Sequence, residues 1–314
     1  MPTIHLRRQK RGKKTSSGGM RLFGNRLKHR LQGYWLLIRA DRPIGIYLLL
    51  WPTLWALWFA SQGQPDWQIV LIFITGTVLM RSAGCAINDY ADRHYDGHVA
   101  RTKLRPLVTG QITPREALGV FIVLSLLAAG LLLFLNTTTQ LHAVIAMALA
   151  AIYPFSKRYI PLPQLVLGLA FAWAIPMAFS AEQGSTSLIT WLLFVATVLW
   201  TITYDTEYAM VDRDDDLKIG VKSSAILFGR YDRLIIGILQ VLVIALLWWV
   251  GELTERGNLY DIGLILGAGI FAYQHHLLRT QKKMHYLRAF LNNNLFGLVL
   301  FAALFLDYRI YPLE

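Results

Sequence analysis

The sequence holds one cysteine, Cys85. A single thiol cannot close an intrachain disulfide, so no cross-link staples the fold and none reports on the compartment. Charge is scarce as well. Asp, Glu, Lys and Arg together make up 16% of the 314 residues, against 55% apolar. That balance is the profile of a polytopic membrane protein rather than of soluble domains. No Walker loop, Gly-x-Ser-x-Gly turn or dinucleotide fingerprint occurs, and no period of 20–50 residues repeats. His94 and His98 stand four apart, a zinc spacing, but no further Cys or His lies nearby to complete a site. Asp212–Asp216 do not open an EF-hand, because the required Gly and terminal Glu are missing. The basic run His5–Lys14 adjoins no apolar segment, which excludes a standard signal peptide.

What charge there is has a direction. The net charge is +12, and the cations sit in an N-terminal tail and in short loops between apolar runs. This placement points to an anionic membrane face and not to nucleic acid. No feature calls for an obligate protein partner. Residues 1–33 predict a basic, disordered cytoplasmic tail. Nine apolar runs then predict nine transmembrane helices, at about 43–61, 67–91, 116–135, 141–155, 163–180, 188–208, 232–250, 261–278 and 287–306. The expected fold is all-α. Pro43 suits a first helical turn, Pro52 predicts a kink, and Thr113-Pro114-Arg115-Glu116 predicts a capped helix start. Of the 31 Lys and Arg, only Arg256 and Arg309 fall on the far side of this arrangement. The positive-inside rule then places the N-terminus in the cytoplasm.

Two acidic stretches stand out against this background. Asn88, Asp92 and Asp96 close the second apolar run at steps of four; Tyr208, Asp212 and Asp216 repeat the step after the sixth, preceded by Asp205. On helices, that spacing stacks each set on one face. Acids at the end of a membrane-length helix are costly and so carry a task. Facing each other, the two sets would line a pocket for a hard divalent cation, and Mg²⁺ prefers carboxylate oxygens together with substrate phosphate. Arg101, Lys103 and Arg105 follow the first motif and suit phosphate oxygens. The loop Ser156–Pro161 adds Lys157 and Arg158, with Tyr153 one turn before Lys157. The predicted topology puts all of these on the cytoplasmic face. The residues alone therefore predict a membrane enzyme that handles a diphosphate through Mg²⁺; a cation-coupled transporter is the alternative of another class.

The string Asn88–Gly97, continued by Arg101-Thr102-x-x-Arg105-Pro106, resembles the first motif of the UbiA superfamily of intramembrane prenyltransferases. Asp205–Asp216 resembles the second. The resemblance covers about 34–314, with 1–33 as an extension. It implies nine helices around a central cavity open to lipid, a Mg²⁺ cofactor and a polyprenyl diphosphate donor. The wording of both motifs resembles the branch that prenylates 4-hydroxybenzoate for ubiquinone synthesis; sister branches take a naphthoate or a haem. By resemblance, Asn88, Asp92, Asp96, Asp212 and Asp216 form the Mg²⁺-diphosphate site. Arg39, Arg101, Lys103, Arg105, Tyr153, Lys157, Arg158, Asp205, Tyr208 and Lys222 are expected to assist the diphosphate or the aromatic acid. A bacterial inner membrane is the expected location, a mitochondrial inner membrane the alternative.

Overall fold

The computed structural model describes residues 17–99 and 101–311, with side chains from residue 27 onward. The tail segment 1–16 lies outside the described residues. Every regular element is helical: α1 (Ser17–Leu37), α2 (Ile44–Ala60), α3 (Trp67–Asp92), α4 (Pro114–Leu132), α5 (Thr137–Tyr159), α6 (Pro163–Ala172), α7 (Ala174–Gln183), α8 (Leu188–Ile219), α9 (Ser224–Phe228), α10 (Asp232–Leu253), α11 (Asn258–Arg279) and α12 (Lys283–Ile310). The expected disordered tail therefore meets a helix from Ser17. Its last turns are tied to the start of α4, where Tyr34 Oη donates to Glu116 Oε1 at 2.8 Å and Arg30 pairs with the same carboxylate.

Helices α3, α4, α5, α6–α7, α8, α9–α10 and α12 are long and apolar enough to cross a membrane. The apolar α2 has 17 residues. The 22-residue α11 has the length but carries Asp261, His275 and His276. Large side chains such as Leu126, Val144, Val241 and Ile265 point outward from the bundle, as contact with lipid requires. The chain is a multi-pass membrane protein.

Local signals account for the helix starts. Asp66 caps α3 by accepting from Gln68 N at 2.7 Å, and Asn136 caps α5 by accepting from Thr139 N at 2.9 Å. At α4, Thr113 and Glu116 form the expected reciprocal capping box around Pro114. Pro52 lies inside α2, which remains one helix. The fifth apolar run is divided at Trp173, where Pro176 lacks the N–H that would bond the Ala172 carbonyl.

The long α8 is the axis of the bundle. Some 61% of its apolar window is buried, against 11% for α4 and 17% for α5. Trp200 of α8 stacks on Trp55 of α2 with ring centroids 5.2 Å apart and donates to Asn293 of α12 at 2.8 Å. Gly297 of α12 lets the Trp51 ring lie directly on the α12 backbone, where any β-carbon would collide with it. Without a hydrophobic drive between helices in lipid, such close packing and interhelical hydrogen bonds hold the bundle together.

Two helix ends run further than the apolar pattern predicts. Lys157 and Arg158 belong to the last turn of α5 and not to a loop, a favourable place for cations. Likewise α8 continues through Asp212–Asp216 to Ile219, ending at Gly220 in the left-handed region (φ 73°).

Candidate active site

A cavity of about 900 Å³ opens between α2, α3, α5, α6, α8 and the segment linking α3 to α4. Its inner walls are apolar, with Ile72, Met80, Leu132, Met147 and Phe171 among them. Its mouth is charged.

Asn88 and Asp92 lie on the last turns of α3 and line this mouth. Asp96 does not continue their stack: α3 ends at Asp92, and Asp96 opens a short 3₁₀ turn, Asp96–His98. From there Arg105 reaches back to bind Asp96 Oδ2 at 2.6 Å and Asp89 Oδ1 at 3.0 Å. Burial pushes the Asp96 carboxyl above its ordinary pKa; Arg105 opposes that rise, while Asp92 and Asp89 add to it. For Arg105, burial disfavours the charge, but Asp89 and Asp96 more than offset it and the pKa rises.

The second motif is helical throughout, so Asp205, Tyr208, Asp212 and Asp216 share the cavity face of α8. Arg101 joins the two motifs. Its Nε and Nη2 reach Asp212 Oδ2 at 3.0 and 2.5 Å, and its guanidinium lies 4.5 Å from the Tyr208 ring centroid. Lys157 comes from α5 to bind Asn88 Oδ1 at 3.2 Å and Asp92 Oδ2 at 3.1 Å, near the Tyr153 ring. Arg158 donates to the Ala91 carbonyl at 2.7 Å and lies over Tyr95. Lys222 sits at the rim, its amine on the Tyr159 carbonyl at 3.0 Å. Arg39 Nη2 binds Asp89 Oδ1 at 2.7 Å. Asp205 and Asp216 have no ion-pair partner among the described residues. The structure thus brings together every anticipated site residue except one.

Lys103 is that exception. It is exposed and lines no part of the cavity. Lys103 N bonds the Val99 carbonyl at 3.1 Å and Arg105 N bonds the Thr102 carbonyl at 2.9 Å, so residues 101–105 coil like a helical turn. Arg101 and Arg105 then fall on one side, and Lys103 points the other way.

Two residues of the site escaped the four-step pattern. Asp89 is 1% exposed and anchors both Arg39 and Arg105. Arg81 lines the cavity about two turns deeper than Asn88 on α3. Its Nη1 donates to Cys85 Sγ at 2.7 Å, its Nε has no partner, and it has no carboxylate within ion-pair distance among the described residues. Gly45 of α2 leaves the space that the guanidinium fills. A signal was present, since a lone arginine inside an apolar run is by default a functional candidate.

The donor set Asn88, Asp92, Asp96, Asp212 and Asp216 consists of hard oxygens, which suits Mg²⁺. Among the described residues, no three His, Cys, Asp or Glu side chains converge as a closed metal cage. Mg²⁺ does not need one, because one or two carboxylates plus substrate phosphates commonly hold it.

An all-helical, lipid-embedded bundle with an apolar cavity and a mouth of paired carboxylates and cations defines a membrane enzyme for an amphiphilic, anionic substrate. Residues 49–303 match the UbiA prenyltransferase family, and the chain belongs to it. It is 54% identical over 282 residues to the 4-hydroxybenzoate octaprenyltransferase of Methylococcus capsulatus, covering 90% of this chain and 97% of that protein. It is 55% identical over 278 residues to the enzyme of the same name from Chromohalobacter salexigens, covering 88% and 93%. The apo structure of a UbiA homolog from Aeropyrum pernix K1 superposes with a TM-score of 0.73 at 25% identity, over 82% of this chain and 97% of that one. A UbiA homolog from Archaeoglobus fulgidus, solved bound to GPP and Mg²⁺, shares the fold with a TM-score of 0.67 at 18% identity, over 87% and 99%.

Proposed function

We propose that the chain transfers a polyprenyl group from polyprenyl diphosphate to the ring carbon ortho to the hydroxyl of 4-hydroxybenzoate, at the cytoplasmic side of a bacterial inner membrane. The observation that carries this reading is the convergence of both acidic motifs and of Arg101, Arg105 and Lys157 on the mouth of one apolar cavity. The apolar walls suit a prenyl chain, and the mouth suits its diphosphate. The name shared by relatives at more than half identity supports the acceptor.

Three cations at the mouth rest on carboxylates: Lys157 on Asp92, Arg101 on Asp212, Arg105 on Asp96. Diphosphate oxygens offer these cations a more highly charged partner. Mg²⁺, held by Asn88, Asp92, Asp96, Asp212 and Asp216, would neutralise the diphosphate when bound. Arg101, Arg105 and Lys157 stabilise the charge that builds on the leaving diphosphate as the C–O bond of the donor breaks. The apolar walls keep water from the allylic cation. Arg81, with no carboxylate partner among the described residues, suits the carboxylate of the aromatic acid, whose ring then lies between that anchor and the mouth. The ortho carbon attacks the allylic carbon, a C–C bond forms, and the ring loses its proton as aromaticity returns.

Purified protein in lipid nanodiscs, given octaprenyl diphosphate, 4-hydroxybenzoate and Mg²⁺, should release diphosphate and form 3-octaprenyl-4-hydroxybenzoate. Chelation of the metal should stop both. Absence of product with 4-hydroxybenzoate but turnover with a naphthoate would reassign the acceptor. No turnover with any aromatic acceptor, together with coupled cation movement across a sealed vesicle, would favour the transporter.

A further inference from the structure

Asp89 is the one acid of the first motif that has no counterpart in the second. Aligning the steps of four sets Asn88, Asp92 and Asp96 beside Tyr208, Asp212 and Asp216; the position after Tyr208 is Ala209, which is buried. Asp89 is therefore no part of the repeated carboxylate face, yet it is 1% exposed at the end of a membrane helix. A buried carboxylate persists only where it is paired and hydrogen-bonded.

Its Oδ1 accepts from Arg39 Nη2 at 2.7 Å and lies 3.0 Å from Arg105 Nη1. Its Oδ2 is buried with no partner among the described residues. The two cations come from different segments of the chain. Arg105 lies in the α3–α4 segment and also binds Asp96. Arg39 lies between α1 and α2, in a backbone conformation that a non-glycine residue seldom adopts (φ 58°). Such a conformation is strained and persists where surrounding contacts over-determine it. Here those contacts are the Asp89 pair and a bond from Arg39 Nη1 to the Leu36 carbonyl at 2.7 Å. Both guanidiniums line the cavity mouth and keep a minority of their surface open, 25% and 14%.

From this geometry we infer that Asp89 is a positioning residue: one buried carboxylate sets two arginines at the cavity mouth to receive the diphosphate of the donor, without itself touching substrate or metal. The inference rests on the proposed reading of the site. Fixing two flexible cations in advance lowers the ordering cost of binding, so Asp89 acts on donor affinity more than on the aromatic acid or on the chemical step.

The test is Asp89→Asn, which keeps the shape and removes the charge, in full-length protein in nanodiscs. KM for the prenyl diphosphate should rise about tenfold or more, the value of one charge-assisted hydrogen bond, and inorganic diphosphate with Mg²⁺ should lose potency as an inhibitor by a similar factor. KM for 4-hydroxybenzoate and the thermal midpoint should stay close to wild type. In an Arg39→Gln background the effect of Asp89→Asn should shrink, because one of its two clients is gone. Arg39→Gln by itself should raise donor KM selectively, which keeps the inference testable if Asp89→Asn fails to insert. Equal changes in both KM values, a change in kcat alone, or full additivity with Arg39→Gln would each overturn the inference. A wild-type protein that neither turns over prenyl diphosphate nor is inhibited by diphosphate would overturn the site reading first.

Discussion

Arg81 concentrates the chemistry of the inner cavity in one side chain. It carries a charge with no carboxylate within reach among the described residues, and its Nε is buried without a partner. A full charge in such a place is costly unless an anion arrives to meet it. Arg81→Gln should therefore raise KM for 4-hydroxybenzoate by about 10- to 100-fold, the loss expected for hydrogen bonds to a charged group. KM for the prenyl diphosphate should move little; steady-state kinetics with each substrate varied in turn separates the two. The carboxylates of the mouth belong to another class. Asp92, Asp212 and Asp216 come from two helices and face one space. Changing any one to Asn should lower kcat on the order of 10²-fold or more. Because the group acts as a unit, a double variant should be little worse than the worse single one. Near-normal turnover in two of these variants, at saturating substrates, would refute the assignment. Asp89, Arg81 and Lys103 show where one-dimensional spacing stops informing. Steps of four find a shared helix face. They do not show that Asp89 is buried between two arginines, nor that the loop after α3 coils and sends Lys103 outward.

Helices position these groups through a few close approaches. Gly45 on α2 admits the Arg81 guanidinium, and a methyl group there would strike it. Gly45→Ala should thus reproduce the acceptor defect of Arg81→Gln, while Gly119→Ala should leave the kinetics unchanged, since nothing lies within 4 Å of a β-carbon at that position. Equal KM values for the two alanine variants would show that the α2–α3 approach does not set the site. The ends of α5 and α8 were the least legible elements. Asp212, Asp214, Asp215 and Asp216 crowd negative charge at a helix C-terminus, where it is unfavourable, and a loop is the natural reading. Partners reverse that balance, two of them remote in sequence: Arg101 takes Asp212 and Lys283 takes Asp214, while Lys218, one turn further along α8, takes Asp215. The backbone N–H of Lys222 then bonds the Lys157 carbonyl at 3.1 Å and ties the end of α5 to the segment after α8.

At the scale of the whole molecule the charge asymmetry and the site share one end of the bundle. At the opposite end, the side chains of Arg256 and Asp307 are almost fully buried, and Asp307 accepts from the amides of Gly257 and Tyr260 at the start of α11. The proposed orientation, with the site end cytoplasmic, rests on the positive-inside pattern. In a Cys85→Ser background, single cysteines at the exposed positions Leu104, Ser185 and Asn258 test this assignment. A membrane-impermeant thiol reagent applied from outside should label positions 185 and 258 but not 104. Outside labelling of position 104 would reverse the topology.

The amino-acid sequence by itself determined the membrane class, the approximate place of each apolar helix, the capped start of α4 and the two acidic motifs with most of their cations. These are local properties: run length, residue spacing and capping chemistry act within a few turns. The tertiary structure alone decided which charges meet. Arg101 and Asp212 are 111 residues apart, Lys157 and Asp92 are 65 apart, and Arg39 and Asp89 are 50 apart. It also decided where α5 and α8 end and that Arg81 lacks a carboxylate partner among the described residues. Burial makes such pairing mandatory, because a charge removed from water must find a partner or a ligand. The partner is chosen by helix packing, on which sequence separation has no bearing.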